Sequence, residues 1–76
     1  MTQLEVAYRY GRSPLEAELR AINAIREVYG VRRITFAEAE RVVRVEFDAS
    51  RFKEPVVAGL LRGAGLDIQE RLVLAG

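Results

Sequence analysis

The spacing of hydrophobic residues changes from a period of two to a period of about 3.6 and back to two, and this happens twice within 76 residues. A period of two is typical of a strand with one buried face, and the longer period is typical of an amphipathic helix. The pattern predicts strands at 2–10, 31–37, 42–47 and 66–74, and helices at 14–29 and 55–64.

Two strand–helix–strand units with right-handed crossovers combine most simply into one four-stranded antiparallel sheet with both helices on the same face. We therefore predict an α+β, ferredoxin-like fold of order βαββαβ, a plait with its strands arranged 4-1-3-2. A chain of 76 residues has room for one hydrophobic core, so residues 1–76 are expected to form a single domain.

The same periods predict which side chains point into the core. In the strands these are Leu4, Val6, Tyr8, Tyr10, Ile34, Phe36, Val43, Val45, Phe47, Ile68, Leu72 and Leu74. In the helices they are Leu15, Leu19, Ile22, either Ile25 or Arg26, Tyr29, Val56, Val57, Leu60, Leu61 and Ala64. Glu70 breaks the alternation, which predicts a bulge or an edge position. Gly59 and Gly63 weaken a helix, so we expect them to pack closely against the sheet.

The first helix is predicted to begin at a capping box. Ser13 is the expected N-cap, Pro14 the first helical residue, and Glu16 the carboxylate three residues after the cap. Gly30 and Gly65 are expected to end the two helices in the left-handed conformation. Residues 38–41 are predicted to connect two strands of a hairpin.

Composition excludes several classes of site. Without His or Cys there is no imidazole or thiolate to act as a nucleophile, a base or a metal ligand. A net charge of +1 does not favour nucleic acid or an anionic membrane as a partner. Residues 1–5 lack the pattern of a signal peptide, and no apolar run is long enough to span a bilayer. We expect a cytoplasmic protein with no cofactor.

Several landmarks resemble those of the heavy-metal-associated domain family across residues 4–74. Gly11 lies at the glycine that precedes the family's metal-binding cysteines, and Gly30-Val31 lies at its Gly-Val pair. Phe47-Asp48 matches an aromatic-Asp pair, and Gly65-Leu66 stands at the Gly-Tyr that closes the second helix. The resemblance implies the plait, and it implies that the loop before the first helix meets partner domains.

The two metal-binding cysteines of that family are replaced here. Counting back from Gly30, they fall on Pro14 and Ala17, and neither side chain offers a donor atom. A thiolate site for Cu(I) or Zn(II) is therefore not expected. Relative to the family, the metal site is degenerate, and we expect a non-catalytic module that binds another protein domain or a second copy of itself.

The candidate binding loop consists of Tyr10, Gly11, Arg12 and Ser13. Free N–H groups at a helix start, together with an arginine, suit a carboxylate or phosphate. The alternative is that Gly11 makes a bend and Ser13 only caps the helix. The solvent face of the sheet is either a solvated face of charge pairs or a polar docking or dimer surface. A second hypothesis for the whole chain is an ACT-like regulatory domain that binds a metabolite at a dimer edge. No residues match a catalytic pattern, so we do not expect an enzyme.

Overall fold

A computed structural model describes residues 3–28, 30–51 and 53–72. The elements are β1 (Gln3–Tyr10), α1 (Glu16–Ile25), β2 (Val31–Ala37), β3 (Val42–Asp48), α2 (Glu54–Gly63) and β4 (Ile68–Leu72). The predictions that concern Thr2, Tyr29, Val73 and Leu74 fall outside the described residues.

The sheet has the strand order β2-β3-β1-β4 with every neighbouring pair antiparallel. This is the predicted order read from the other edge, so the α+β ferredoxin-like plait is confirmed. Residues that face one another across the central strands include Val6 with Val45 and Tyr8 with Val43. These apolar pairs are the sheet half of the core, and the helices supply the rest.

The buried core combines the inner face of the sheet with one side of each helix. From the sheet come Val6, Tyr8, Tyr10, Ile34, Val43, Val45 and Phe47; from the helices and the turn after α2 come Ile22, Ile25, Val57, Ala58, Leu61 and Leu66. Two small residues of the opposite face, Ala7 and Val42, are buried as well. Side chains of neighbouring strands can shield short side chains, so burial in this sheet is not limited to the face under the helices.

Four residues predicted to be in the core are exposed to solvent. Leu4 is 50% exposed and Val56 is 48% exposed. Leu15 is 64% exposed and Leu19 is 38% exposed, because α1 becomes buried only from Ile22 onward. The spacing of apolar residues predicts which side of a helix or strand faces the core. It does not predict at which residue along the element packing against the core begins.

The last strand contains the predicted bulge, and it changes which residues face inward. Arg9 pairs with Glu70, whereas Tyr10 pairs with Ile68, so Gln69 is an extra residue between them. Beyond the bulge the alternation is reversed. Leu72 pairs with Ala7 on the outer face and is not part of the core cluster, contrary to the prediction.

The start of α1 also differs from the prediction. The N-cap is Leu15, which has no hydrogen-bonding side chain, and the helix begins at Glu16. The residue three positions after this cap is Glu18, whose carboxylate accepts a hydrogen bond from the Leu15 N–H at 2.8 Å. Of the two hydrogen bonds of a capping box, only the one from the N-cap N–H to the glutamate carboxylate is therefore present. The N-cap is two residues later than predicted, so Ser13 and Glu16 do not form the predicted pair.

Gly65 ends α2 as predicted, with φ of 98° in the left-handed conformation that suits glycine after a helix. Gly30 is also left-handed, with φ of 107°, but it does not end α1: that helix ends at Ile25 with Arg26 as its right-handed C-cap, earlier than predicted. The glycines inside α2 do not pack as predicted. Cβ atoms placed at Gly59 and Gly63 would meet no atom within 4 Å. Both positions face open space, so close packing against the sheet does not explain these glycines.

Candidate functional site

Hydrogen bonds to two neighbouring turns hold the loop between β1 and α1. The Tyr10 N–H donates to the Arg41 carbonyl at 2.9 Å, and the Gly11 N–H donates to the Asp67 carbonyl at 2.9 Å. The guanidinium of Arg41 donates to the Gly11 carbonyl oxygen. Arg41 itself has φ of 54°, in the left-handed region, at the end of the 38–41 hairpin connection. The loop therefore has a defined backbone position at one end of the sheet.

Arg12, the positive group of the candidate loop, is paired within the chain. Its two terminal nitrogens lie 3.1 and 2.9 Å from the two carboxylate oxygens of Glu18. These hydrogen bonds and the one from the Leu15 N–H lower the pKa of the Glu18 carboxyl. Glu18 thus places a negative charge at the helix start, where an anionic ligand would otherwise bind. Binding of a carboxylate or phosphate here would require displacement of Glu18.

Tyr10 belongs to the core and not to an accessible site. The residue is 1% exposed, and its ring meets Phe36 edge to face with 5.9 Å between ring centroids. Burial raises the pKa of the Tyr10 hydroxyl. The hydroxyl oxygen has no hydrogen-bond partner among the described residues. Of the four candidate residues, Arg12 and Ser13 are exposed and Gly11 is half-buried.

The candidate loop continues into an exposed apolar stretch of α1 that the sequence analysis assigned to the core. Leu15 and Leu19 are four residues apart, which places them on one side of the helix start. Both are exposed, and Leu15 lies two residues after the loop. We call Gly11, Arg12, Ser13, Leu15 and Leu19 the loop–helix surface. The period alone could not reveal this exposure, because an exposed leucine at helical spacing looks the same as a buried one.

The outer face of the sheet carries a set of charged cross-strand contacts, as one of the two interpretations of this face predicted. Arg9 lies 2.9 Å from Glu70, with both side chains about half exposed. The Gln3 amide donates to Glu46 at 2.7 Å, and Arg33 lies 3.9 Å from the other oxygen of Glu46. Pairs this exposed contribute little to stability.

A bulge in β2 lies beside a buried carboxylate, that of Asp48, near one end of the outer face. The register of β2 against β3 shifts between Val31 and Arg33, which leaves Arg32 as the extra residue, 3.8 Å from Asp48. Asp48 is buried and accepts hydrogen bonds from the Ser50 hydroxyl at 2.6 Å and the Ser50 N–H at 3.0 Å. The hydrogen bond from the Ser50 hydroxyl has the larger effect and the one from its N–H the smaller, and both lower the pKa of the Asp48 carboxyl. The aromatic-Asp landmark therefore has a local structural role in closing the turn after β3.

A second polar cluster lies between the sheet and α2, and the sequence analysis did not find it. The Tyr8 hydroxyl donates to the carboxylate of Glu54, and Arg71 lies 3.4 Å from the other oxygen of that carboxylate. Burial first, and then this hydrogen bond, raise the pKa of the Tyr8 hydroxyl. The bulge in β4 brings Arg71 to this face, so the cluster could not be derived from a regular alternation.

The cluster lies beside a cavity of about 270 Å³, whose lining includes Leu4, Val6, Phe47, Glu54 and Arg71. Within the described ranges, no group of three or more His, Cys, Asp or Glu residues could hold a metal ion. No helix in the described part of the chain is long and apolar enough to cross a membrane.

Comparison with known proteins gives no relative: no protein-family model matches the chain, and no match was found among curated proteins or solved structures.

Proposed function

We propose that this chain is a non-catalytic interaction module of the cytoplasm that resembles a heavy-metal-associated domain but lacks the thiolate pair. It binds a partner protein domain through the loop–helix surface. The observation that carries the proposal is the exposure of Leu15 and Leu19 next to the loop, where the family resemblance puts partner contacts. Two exposed leucines beside a positioned loop provide apolar area that a partner can bury.

The internal pairing of the loop's charges supports protein docking over anion binding. Arg12 and Glu18 neutralise one another, so the surface presents a closed ion pair beside apolar side chains. An ion pair at the edge of an apolar patch suits the polar rim of a protein interface. Because Pro14 and Ala17 offer no metal donors, this docking does not depend on a bound metal ion.

The test is affinity enrichment with the immobilised chain in three forms, followed by quantitative mass spectrometry and by titration with each purified candidate. The forms are the parent, the double variant Leu15→Glu and Leu19→Glu, and the control Val56→Glu, which adds a charge at an exposed apolar position of α2. We expect one partner domain to bind the parent and the control with equal affinity. The double variant should bind it at least about tenfold more weakly, which is the size of loss expected when residues central to an interface are replaced.

The proposal is wrong if no purified candidate binds the parent directly. It is also wrong if a partner binds the folded double variant as tightly as the parent. Circular dichroism of each form checks that the plait remains folded.

A further inference from the structure

We propose that two copies of this chain associate through the outer faces of their sheets, in an antiparallel arrangement. Arg44 of each copy then lies over Glu5 and Glu46 of the other. This face is opposite to the layer of α1 and α2, so the inference does not depend on docking by the loop–helix surface.

The strand register places the relevant side chains in two adjacent rows at the middle of the outer face. In one row Glu5 of β1 lies directly opposite Glu46 of β3. In the next row Arg44 of β3 lies between Ala7 of β1 and Thr35 of β2. An acidic row and a basic position are therefore neighbours on the two central strands.

Two charged side chains of these rows, Glu5 and Arg44, are not paired within one copy. Glu46 has Gln3 and Arg33 as partners, but Glu5 and Arg44 form no ion pair among the described residues. Two like charges directly opposite one another on neighbouring strands are destabilising. An external positive charge over Glu5 and Glu46 would relieve this repulsion, and Arg44 is an available group of the required sign.

A two-fold axis that runs across the strands, between the two rows, gives such a contact twice. The axis exchanges the rows, so the acidic row of one copy lies over the row of the other copy that contains Arg44. The guanidinium can then meet Glu46 directly and Glu5 diagonally. Isologous association of this kind requires a surface that is complementary to itself. Ala7 and Thr35 flank Arg44 with short side chains, which lets the two faces approach.

The size of the face predicts a weak dimer. Four strands spaced about 4.8 Å apart and about seven residues long give a face of roughly 19 by 24 Å. This is less than the roughly 800 Å² that each partner buries in a standard interface. Association should therefore occur in the micromolar range or weaker and should depend strongly on charge complementarity.

The test is sedimentation velocity of the full chain over a range of concentrations and salt. We expect a reversible monomer–dimer equilibrium that weakens at least about tenfold in Kd between about 0.05 and 0.5 M NaCl, because salt screens the charge contacts. Arg44→Glu should abolish association at low salt. The matched control Arg20→Glu makes the same charge change on an exposed position of α1 and should leave Kd within about twofold.

Mixing two variants distinguishes this arrangement from other dimers. Arg44→Glu places an acid over the acidic row, and Glu46→Arg places a base directly under Arg44, so each should be monomeric alone. In the mixed dimer the new glutamate faces the new arginine, while the other contact keeps Arg44 over an acidic row. We expect an equimolar mixture to sediment as a heterodimer.

A chain that stays monomeric at millimolar concentration and low salt overturns the inference. So does a dimer whose Kd is the same for Arg44→Glu and the parent, since that dimer uses another surface. Two monomeric variants that do not associate when mixed also contradict the arrangement. Loss of the dimer with normal partner binding would leave the proposed function intact.

Discussion

Two tyrosines of the same strand show how much a single hydroxyl depends on its surroundings. Tyr8 and Tyr10 both point into the core from β1 and are both buried. The Tyr8 hydroxyl donates to the Glu54 carboxylate, whereas the Tyr10 hydroxyl has no partner in the described part of the chain. A buried hydroxyl without a hydrogen bond loses its hydration and gains nothing in return.

Replacing each tyrosine with phenylalanine should therefore have opposite effects on stability. Tyr10→Phe removes an unsatisfied polar atom and should raise the free energy of unfolding by about 1 kcal/mol. Tyr8→Phe removes a hydrogen bond to a charged group and should lower it by about 1.5 kcal/mol. Urea denaturation followed by circular dichroism measures both values. If Tyr10→Phe destabilises the protein as much as Tyr8→Phe does, the Tyr10 hydroxyl has a partner, such as an ordered water molecule.

At the scale of elements, α2 combines a well-buried face with two glycines that no contact requires. Val57, Ala58 and Leu61 are buried against the core, while Gly59 and Gly63 face open space. Glycine in a helix costs about 1 kcal/mol relative to alanine, because its unfolded backbone has more freedom to lose. Gly65, just after the helix, differs because its φ of 98° suits glycine and a Cβ there would lie 2.9 Å from a Glu18 carboxylate oxygen.

Alanine should consequently stabilise one glycine position and destabilise the other. Gly59→Ala is expected to raise the free energy of unfolding by about 1 kcal/mol. Gly65→Ala is expected to lower it by about 1–2 kcal/mol, because it forces a side chain into the left-handed region. Thermal and urea denaturation of the two variants provide the comparison. A destabilising Gly59→Ala would mean that α2 packs against something at that position.

The fold could be predicted from the sequence because period and order are properties of the whole chain. The alternation of β1 and β3, the left-handed Gly30 and Gly65, and the four-residue hairpin connection all hold. The site could be predicted only in part, because exposure depends on where elements meet. The same spacing fits a buried Ile22 and an exposed Leu15, and the β4 bulge that moves Arg71 under α2 appears in the sequence only as a misplaced Glu70.

At the scale of the whole molecule, two surfaces lie on opposite layers of a thin plait. The loop–helix surface lies at the start of α1 and carries exposed leucines, whereas the outer sheet face carries rows of opposite charge. The first suits a partner with apolar area, and the second suits a copy of the same chain. Placing them on opposite sides allows the molecule to bind a partner and to self-associate at the same time.

The proposed resemblance to a heavy-metal-associated domain that lacks its metal ligands can be tested by grafting the missing cysteines. Pro14→Cys with Ala17→Cys puts two thiols three residues apart at the start of α1, where the positive end of the helix favours thiolates. The double serine variant at the same positions is the control. The measurement is the Cu(I) affinity from competition with a chromophoric chelator.

We predict that the cysteine variant folds and binds one Cu(I) per chain tightly enough to take it from the chelator, while the parent and the serine variant do not. A folded cysteine variant that binds Cu(I) no better than the serine variant would contradict the proposed resemblance, because the loop would then not correspond to the metal-binding loop of that family.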